Sequence, residues 1–352
     1  MDEAWIKAAC PEPSAQHRGA AEERQKLLTK PLGSLGVLEE LAVRVAALQA
    51  TDRPRAEVTP IVLFAGDHGI TAQGVSAYPS AVTVEMLRNF AAGGAAIAVL
   101  ARELGLSLHV VDVGTLAEEP VAGVVTDKPR RGTRDFSDTP AMTTADLDFA
   151  LAAGQRAIKR AVEPKADIVI LGEMGIGNTT AAAAIAAALL GARAIDLVGA
   201  GTGLNAAGMS RKARVIESAL SLHGLDEGPA EPLTVLASVG GLEIAALVGA
   251  MIAAAQARVP VLVDGFIASS AALVAVRANP SCAPWLIYSH RSMERGHALL
   301  LDALGAAPIL DLKLRLGEGS GAALALPILR LACALHAGMA TFPEAGISGP
   351  AA

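Results

Sequence analysis

Residues 166–190 read ADIVILGEMGIGNTTAAAAIAAALL. Asp167–Leu171 is a short apolar run rich in Ile, Val and Leu. It ends on Gly172-Glu173, turns through glycines, and enters an alanine run behind Asn178-Thr179-Thr180. The order is that of a buried strand, a tight turn and a helix. A strand of a parallel sheet reads as one continuous apolar run because helices cover both of its faces. The unit recurs along the chain. Val58–Ala65 runs into Gly66-Asp67-His68-Gly69, Ser107–Val113 into Gly114, and Ala194–Val198 into Gly199-Ala200-Gly201. Thr234–Val239 precedes Gly240-Gly241, and this run also fits a helix. Val259–Val263 precedes Asp264-Gly265, Pro284–Tyr288 precedes Ser289-His290, and Pro308–Leu312 precedes the Glu318 loop. Strands alternating with helices predict βαβ units and a parallel sheet, an α/β fold.

Outside this middle the pattern changes. Residues 17–50 read as helix, turn, helix, with the turn at Lys30–Gly36. Leu38, Leu41, Ala42 and Val45 follow at helical spacing. Thr51–Glu57 is a polar boundary. Ala322–Ala340 is again helical by its apolar spacing. The two ends predict a small helical domain, residues 1–56 and 323–352, beside a large α/β domain, residues 57–322.

The 352 residues are 52% hydrophobic, 18% charged and 3% aromatic. That composition excludes disorder, because the chain has ample apolar surface to bury. Net charge is −6, so no global basic field favours nucleic acid or an anionic membrane. Mean hydropathy is +0.44. The apolar runs Ala181–Ala192 and Ile244–Ala255 are nonetheless shorter than the about 20 residues a membrane span needs. Both read as buried helices of a soluble core, with no stable membrane insertion. The N-terminal stretch MDEAWIKAACPEPS is acidic and lacks the apolar segment of a secretory signal. Cys10, Cys282 and Cys333 are an odd count without CxxC spacing. They fit a reducing cytoplasm rather than disulfides or a zinc site.

In open α/β sheets, ligands bind outside the carboxyl ends of the strands. Asp67, His68, Glu173, Asp264, Ser289, His290 and Glu318 all follow apolar runs and are expected to converge on one edge. GDHG (66–69) admits a metal-binding Asp-His pair, or a tight turn whose side chains hold loops by hydrogen bonds. No HExxH partner lies nearby, so the turn is the simpler reading. GEMGIGNTT (172–180) offers backbone N–H groups and a helix N-terminus to an anion, or is an ordinary strand–helix loop with a polar cap. No GK[ST] follows, so it is not a Walker loop. GAGTGL (199–204) is a second glycine turn. Lys212 beyond it is a point charge for phosphate or a solvated helix lysine. GEGSG (317–321) sets one carboxylate among apolar neighbours, Leu314 and Leu316 among them. Such surroundings raise a carboxyl pKa and make a general base; the alternative is a plain surface loop. His109, His336 and Cys333 are expected to pack rather than ligate.

Eight strings stand in order: KPLGSLG (30–36), AGDHGI (65–70), GVSAYPSAVTVEMLRNFAAGGAAI (74–97), GEMGIGNTT (172–180), GAGTGL (199–204), VDGFIAS (263–269), SHRSMERGH (289–297) and GEGSGAALA (317–325). Together they closely resemble the nicotinate-nucleotide:dimethylbenzimidazole phosphoribosyltransferases over nearly the whole chain. The resemblance implies transfer of phosphoribose from nicotinate mononucleotide to 5,6-dimethylbenzimidazole. The products are α-ribazole 5′-phosphate and nicotinate, with inversion at ribose C1′, in cobalamin assembly. It also implies a Rossmann-like parallel sheet, a small helical bundle from both termini, a homodimer, and no metal or other cofactor.

Residue by residue, Glu318 matches the family's general base, which takes the azole N–H proton as the other nitrogen attacks C1′. Glu173 matches a second acidic residue at the ribose, placed to stabilise oxocarbenium-like charge. Gly175, Gly177, Asn178, Thr179, Gly201, Gly203, Lys212, Asp264 and Ser289 match the phosphoribose and nicotinate site. Ser76, Tyr78, Glu85, Leu314 and Leu316 match the benzimidazole pocket, although many members carry Gln where this chain has Glu85. Two readings compete. One is a metal-dependent hydrolase built on Asp67, His68, His290 and His297. The other is a non-catalytic nucleotide sensor, which would not need both Glu173 and Glu318.

Overall fold

The computed structural model describes residues 4–163, 165–199, 201, 203–228 and 230–348. Among them one sheet holds β1 (Ile61–Gly66), β2 (Leu108–Gly114), β3 (Val125–Thr126), β4 (Val169–Met174), β5 (Val261–Val263) and β6 (Leu286–Tyr288). The order is β3-β2-β1-β4-β5-β6, and every neighbouring pair is parallel. β1 is buried throughout and β4 in all but its last residue, which is why neither carries a polar alternation. The chain builds outward from β1 on one side and from β4 on the other. The strand order therefore reverses between them, and a crevice opens at their carboxyl ends.

Helices cover the sheet. Leu242–Gln256 and Thr144–Ala161 pack against β1 and β2, while Ser320–Gly338 packs against β4 and β5 with Ala96–Leu104 beside it. Right-handed crossovers on either side of a reversal put their helices on opposite faces. The alanine-rich helix Asn178–Leu190 is buried continuously from Thr180 to Ala188, so it has no polar stripe. Two stretches, Ala81–Leu104 and Ser320–Gly338, have the length and hydropathy of a membrane span. Ala81–Leu104 breaks into two helices, Ala81–Ala91 and Ala96–Leu104. Ser320–Gly338 lies on the sheet as a core helix does.

The two ends of the chain meet. Helix Val37–Gln49 packs against both Ala15–Leu27 and Ser320–Gly338. Leu28 bridges Thr341 in antiparallel fashion. Arg24 Nε donates to His336 O at 2.7 Å and Nη2 to Met339 O at 3.0 Å, which satisfies carbonyls at the end of the last long helix. Leu41, Val45 and Leu48 share one continuous apolar core with Ile61, Leu171 and Leu329.

Three expected strands take other forms. Ala194–Val198 is the short helix Ala194–Leu197, whose buried residues stand three apart and whose first turn is tied by Arg193 Nε to Asp196 at 2.9 Å. Thr234–Val239 belongs to helix Pro232–Val239: Pro232 opens it and the Glu231 carboxylate accepts the Thr234 N–H at 2.7 Å. Pro308–Leu312 contributes a single bridge, Leu310 to His290, since Pro308 lacks an N–H and Leu312 is exposed. The exposed two-residue strand β3 is too short to leave a periodic signal.

Candidate active site

The loops after β4, β5 and β6 meet the Gly317–Gly319 turn over the crevice and enclose a cavity of about 470 Å³. Of the residues expected at the site, Tyr78, Glu173, Gly175, Asn178, Thr179, Gly201, Asp264, Leu316 and Glu318 line it.

Glu318 enters from the turn that opens helix Ser320–Gly338. Gly317, Glu318 and Gly319 hold φ angles of 88°, 64° and 83°. A residue with a Cβ pays about 1–2 kcal/mol for this left-handed backbone. Asp264 stabilises it: Oδ2 accepts the Gly319 N–H at 3.2 Å and Oδ1 the Ala322 N–H at 2.9 Å. The aspartate thus caps the helix and pins the turn. Burial raises the Glu318 pKa, a hydrogen bond from the Ile97 N–H opposes this, and the Asp264 charge adds to it. Its Oε2 is buried without a hydrogen-bond partner. The apolar flanks are not the cause, since Leu316 is 59% exposed and Leu314 only half-buried. The turn itself packs closely on β4, where a Cβ on Gly172 would lie 2.4 Å from the Glu318 carbonyl oxygen.

Glu173, at the end of β4, is buried and accepts a hydrogen bond from Asn178 Nδ2. Burial raises its pKa well above the usual carboxyl range, and the charges of Glu243, Asp264 and Glu318 push the same way. Gly317 lets the two acidic elements close on each other, because a Cβ there would lie 2.5 Å from Glu173 Oε1.

At one end of the cavity Arg315, Thr179 and Glu294 line the wall, and Lys212 stands behind the lining. Lys212 is buried and donates to Thr179 Oγ1 at 2.6 Å. Burial pulls its pKa down to about 8, and the charge of Glu294 opposes that. Arg315 lines the cavity and donates to Gly201 O at 3.2 Å. Thr179 stands in the first turn of helix Asn178–Leu190, behind Gly177 at φ 101°. Two cations, a hydroxyl and a helix N-terminus together suit a phosphate. The remaining wall is apolar, with Val82, Met86, Met174, Ile176 and Phe266 facing inward.

Other expected residues stand off the cavity. Gly177 packs its backbone on Thr71 and His68, and Gly203 has open space around it at φ 120°. Ala200 and Thr202 of the same motif lie outside the described residues. Ser289 is buried beneath the site, its Oγ donating to Asp264 O at 3.4 Å and lying 3.0 Å from His290 Nδ1. The Leu314 carbonyl accepts the Met293 N–H at 2.8 Å, and Ser76 Oγ accepts the Tyr78 N–H at 3.2 Å. Glu85 needs correction: it is exposed in a separate groove with Arg88 and Glu118. Helix Ala81–Ala91 turns Val82 and Met86 to the cavity instead. Among the described residues, no group of three or more His, Cys, Asp or Glu is placed to hold a metal. Asp67 instead accepts the Leu116 N–H at 2.8 Å, and His297 lies 2.9 Å from Ser269 Oγ.

A family model described as Phosphoribosyltransferase matches residues 10–347. A protein of Bradyrhizobium sp. (strain ORS 278), named nicotinate-nucleotide–dimethylbenzimidazole phosphoribosyltransferase, is 67% identical over 98% of both chains. The chain belongs to this phosphoribosyltransferase family. A Pseudomonas aeruginosa (strain PAO1) protein of the same name is 56% identical, again over 98% of both chains. The crystal structure of the Thermus thermophilus phosphoribosyltransferase of this name superposes with a TM-score of 0.90 at 42% identity, covering 96% of this chain and 100% of that one. In this phosphoribosyltransferase chain, Arg315, Ser292 and Glu294 also line the cavity and escaped residue-by-residue reading. Arg315 did leave a signal, a lone cation between Leu314 and Leu316 just ahead of GEGSG.

Proposed function

We propose that this chain moves 5-phosphoribose from nicotinate mononucleotide to 5,6-dimethylbenzimidazole, releasing nicotinate and α-ribazole 5′-phosphate for the lower ligand of cobalamin. The carrying observation is one cavity that holds Arg315 and Thr179, the latter backed by Lys212, together with an apolar wall and the carboxyl groups of Glu173 and Glu318. The phosphate lies against Lys212, Arg315, Thr179 and the amides that open helix Asn178–Leu190. The flat azole lies on the apolar wall. An azole nitrogen bonds to C1′ as the C1′–nicotinate bond breaks, and that electron pair goes to the pyridine nitrogen. The azole N–H proton passes to Glu318 Oε2, which has no other hydrogen-bond partner. Glu173 stabilises positive charge developing at C1′. Attack opposite the leaving group inverts that carbon.

The test is product analysis by mass spectrometry after incubating nicotinate mononucleotide with a panel of azoles. One ribazole phosphate per nicotinate released is expected. Azole-independent release of ribose 5-phosphate would overturn the reading in favour of a hydrolase. Turnover unchanged by EDTA is part of the same expectation.

The reading extends to the assembly. It takes residues 1–56 and 323–352 as a small helical unit beside a catalytic unit, 57–322, in a cytoplasmic homodimer. Leu27, Leu32 and Val37 support a partner surface, since all three are exposed around the helical turn near the N-terminus. Light scattering should give twice the 35.6 kDa chain mass, and a clean monomer would refute the dimer.

A further inference from the structure

Beside the cavity, where β1 and β4 diverge, His68 and Glu243 form a pair whose side chains are fully removed from solvent, Nε2 to Oε1 at 2.6 Å. Neither lines the cavity. His68 Nδ1 and Glu243 Oε2 are buried without hydrogen-bond partners. A protonated Nδ1 would be a buried N–H without an acceptor. The geometry therefore assigns a neutral ring whose one hydrogen sits on Nε2 and is donated to Glu243. Glu243 Oε1 is then the acceptor of the pair.

Glycines make room for these two side chains. A Cβ at Gly66 would lie 2.8 Å from Glu243 Oε2, and one at Gly241 2.3 Å from His68 Cε1. At Gly175 it would lie 3.2 Å from Glu243 Oε1 and 3.3 Å from His68 Nε2, and at Gly177 3.1 Å from His68 Cβ. Gly66 ends β1, Gly241 precedes the helix carrying Glu243, and Gly175 and Gly177 form the turn before Asn178. Backbone from three elements thus closes on one charged pair. Glu173 is paired across the sheet with Phe64, two residues before Gly66.

We propose that His68 and Glu243 are positioning residues for phosphoribosyl transfer, fixing the Gly175–Gly177 turn and holding a negative charge behind Glu173. This rests on the role of Glu173 given above. Glu243 is the largest charge contribution to the raised proton affinity of Glu173, after burial itself. Asp264 and Glu318 add to it and Asn178 opposes it. His68 is neutral by its geometry; His290 and Arg315 line the same cavity and Lys212 stands behind Thr179. Burial and these neighbouring carboxylates therefore hold a proton on Glu173 more tightly than on a free carboxyl group. A pyridinium ring lying beside this carboxyl group opposes that effect and favours its ionised form.

Glu243→Gln keeps the size and the oxygen that accepts from His68 while removing the charge. The Glu173 carboxyl is read as the infrared band that Glu173→Gln abolishes. In Glu243→Gln its titration should move to lower pH by about one unit, as should the matching limb of the pH–rate profile. An unmoved band overturns the inference and leaves the role of Glu173 intact. Wild-type turnover of Glu173→Gln overturns that role and this inference with it. Nitrogen-15 NMR of the histidine-labelled wild-type chain needs no variant. It should show His68 as the neutral Nε2–H tautomer at neutral pH, and an imidazolium there would cancel the charge and overturn the inference.

Discussion

Glu318→Gln isolates the proton transfer from the rest of the site. The amide keeps the volume and an oxygen to accept the Ile97 N–H, and it leaves the left-handed turn alone. It removes the basic lone pair on the unpartnered Oε2. A positioned base contributes about 10²–10⁴-fold, so kcat should fall by that factor, roughly 2.7–5.4 kcal/mol of barrier. Stability should move far less. The new N–H₂ lacks an acceptor, at about 1–3 kcal/mol, and loss of a desolvated carboxylate offsets part of that. KM for nicotinate mononucleotide should change little, because the base acts on the other substrate. The base works unprotonated and its pKa is raised by burial. Wild-type turnover should therefore climb as pH rises through that raised value, and the variant should lack this limb. More acidic azoles need less help, so the deficit should shrink along a series of them. Single-turnover release of nicotinate, with folding checked by circular dichroism, separates chemistry from product release. Near-wild-type turnover in a folded variant would refute the assignment and make Glu173 the next base to test.

Three further outcomes follow from the same geometry. Lys212→Met removes a buried cation, and a lost charge-assisted hydrogen bond of roughly 1.5–3 kcal/mol should raise KM for nicotinate mononucleotide about 10- to 100-fold. In the wild type, Lys212 loses its charge as pH rises through about 8, so that KM should climb above this pH; a flat profile would place the phosphate elsewhere. Gly172→Ala pushes a methyl group to 2.4 Å from the Glu318 carbonyl oxygen. No functional group is lost, yet displacement of the base by about 1 Å should cost up to about 10² in kcat, and unchanged kcat would show that the turn yields freely. Glu85→Gln should leave the ranking of azole substrates unchanged, since Glu85 faces a separate exposed groove; a reordered ranking in steady-state competition would bring that residue back to the base.

The sequence by itself determined the strand–turn–helix units and the edge on which they end. Ile61–Gly66, Val169–Met174 and Leu286–Tyr288 are apolar runs broken by glycine or a polar residue, and both features are local. It also determined that Glu173 and Asp264 share one site, because each stands at the end of a strand and a parallel sheet collects such ends at one edge; Glu318 follows Pro308–Leu312, which forms no strand, so its place there is tertiary. Tertiary structure alone decided the rest. Ala194–Val198 and Pro308–Leu312 are as apolar as real strands, but no ladder extends along either. Glu85 and Met86 are neighbours in one motif, and only the packing of their helix sends Met86 to the cavity. The Glu318 turn and carboxyl group meet Gly172, Ile97 and Asp264, none of which adjoins Glu318 in sequence. The GDHG turn shows the same limit, since the carboxylate that meets His68 comes from Glu243, 175 residues away. Periodicity is carried residue by residue along the chain. Exposure, proton affinity and the partner of a buried polar atom depend on what distant backbone is folded against it.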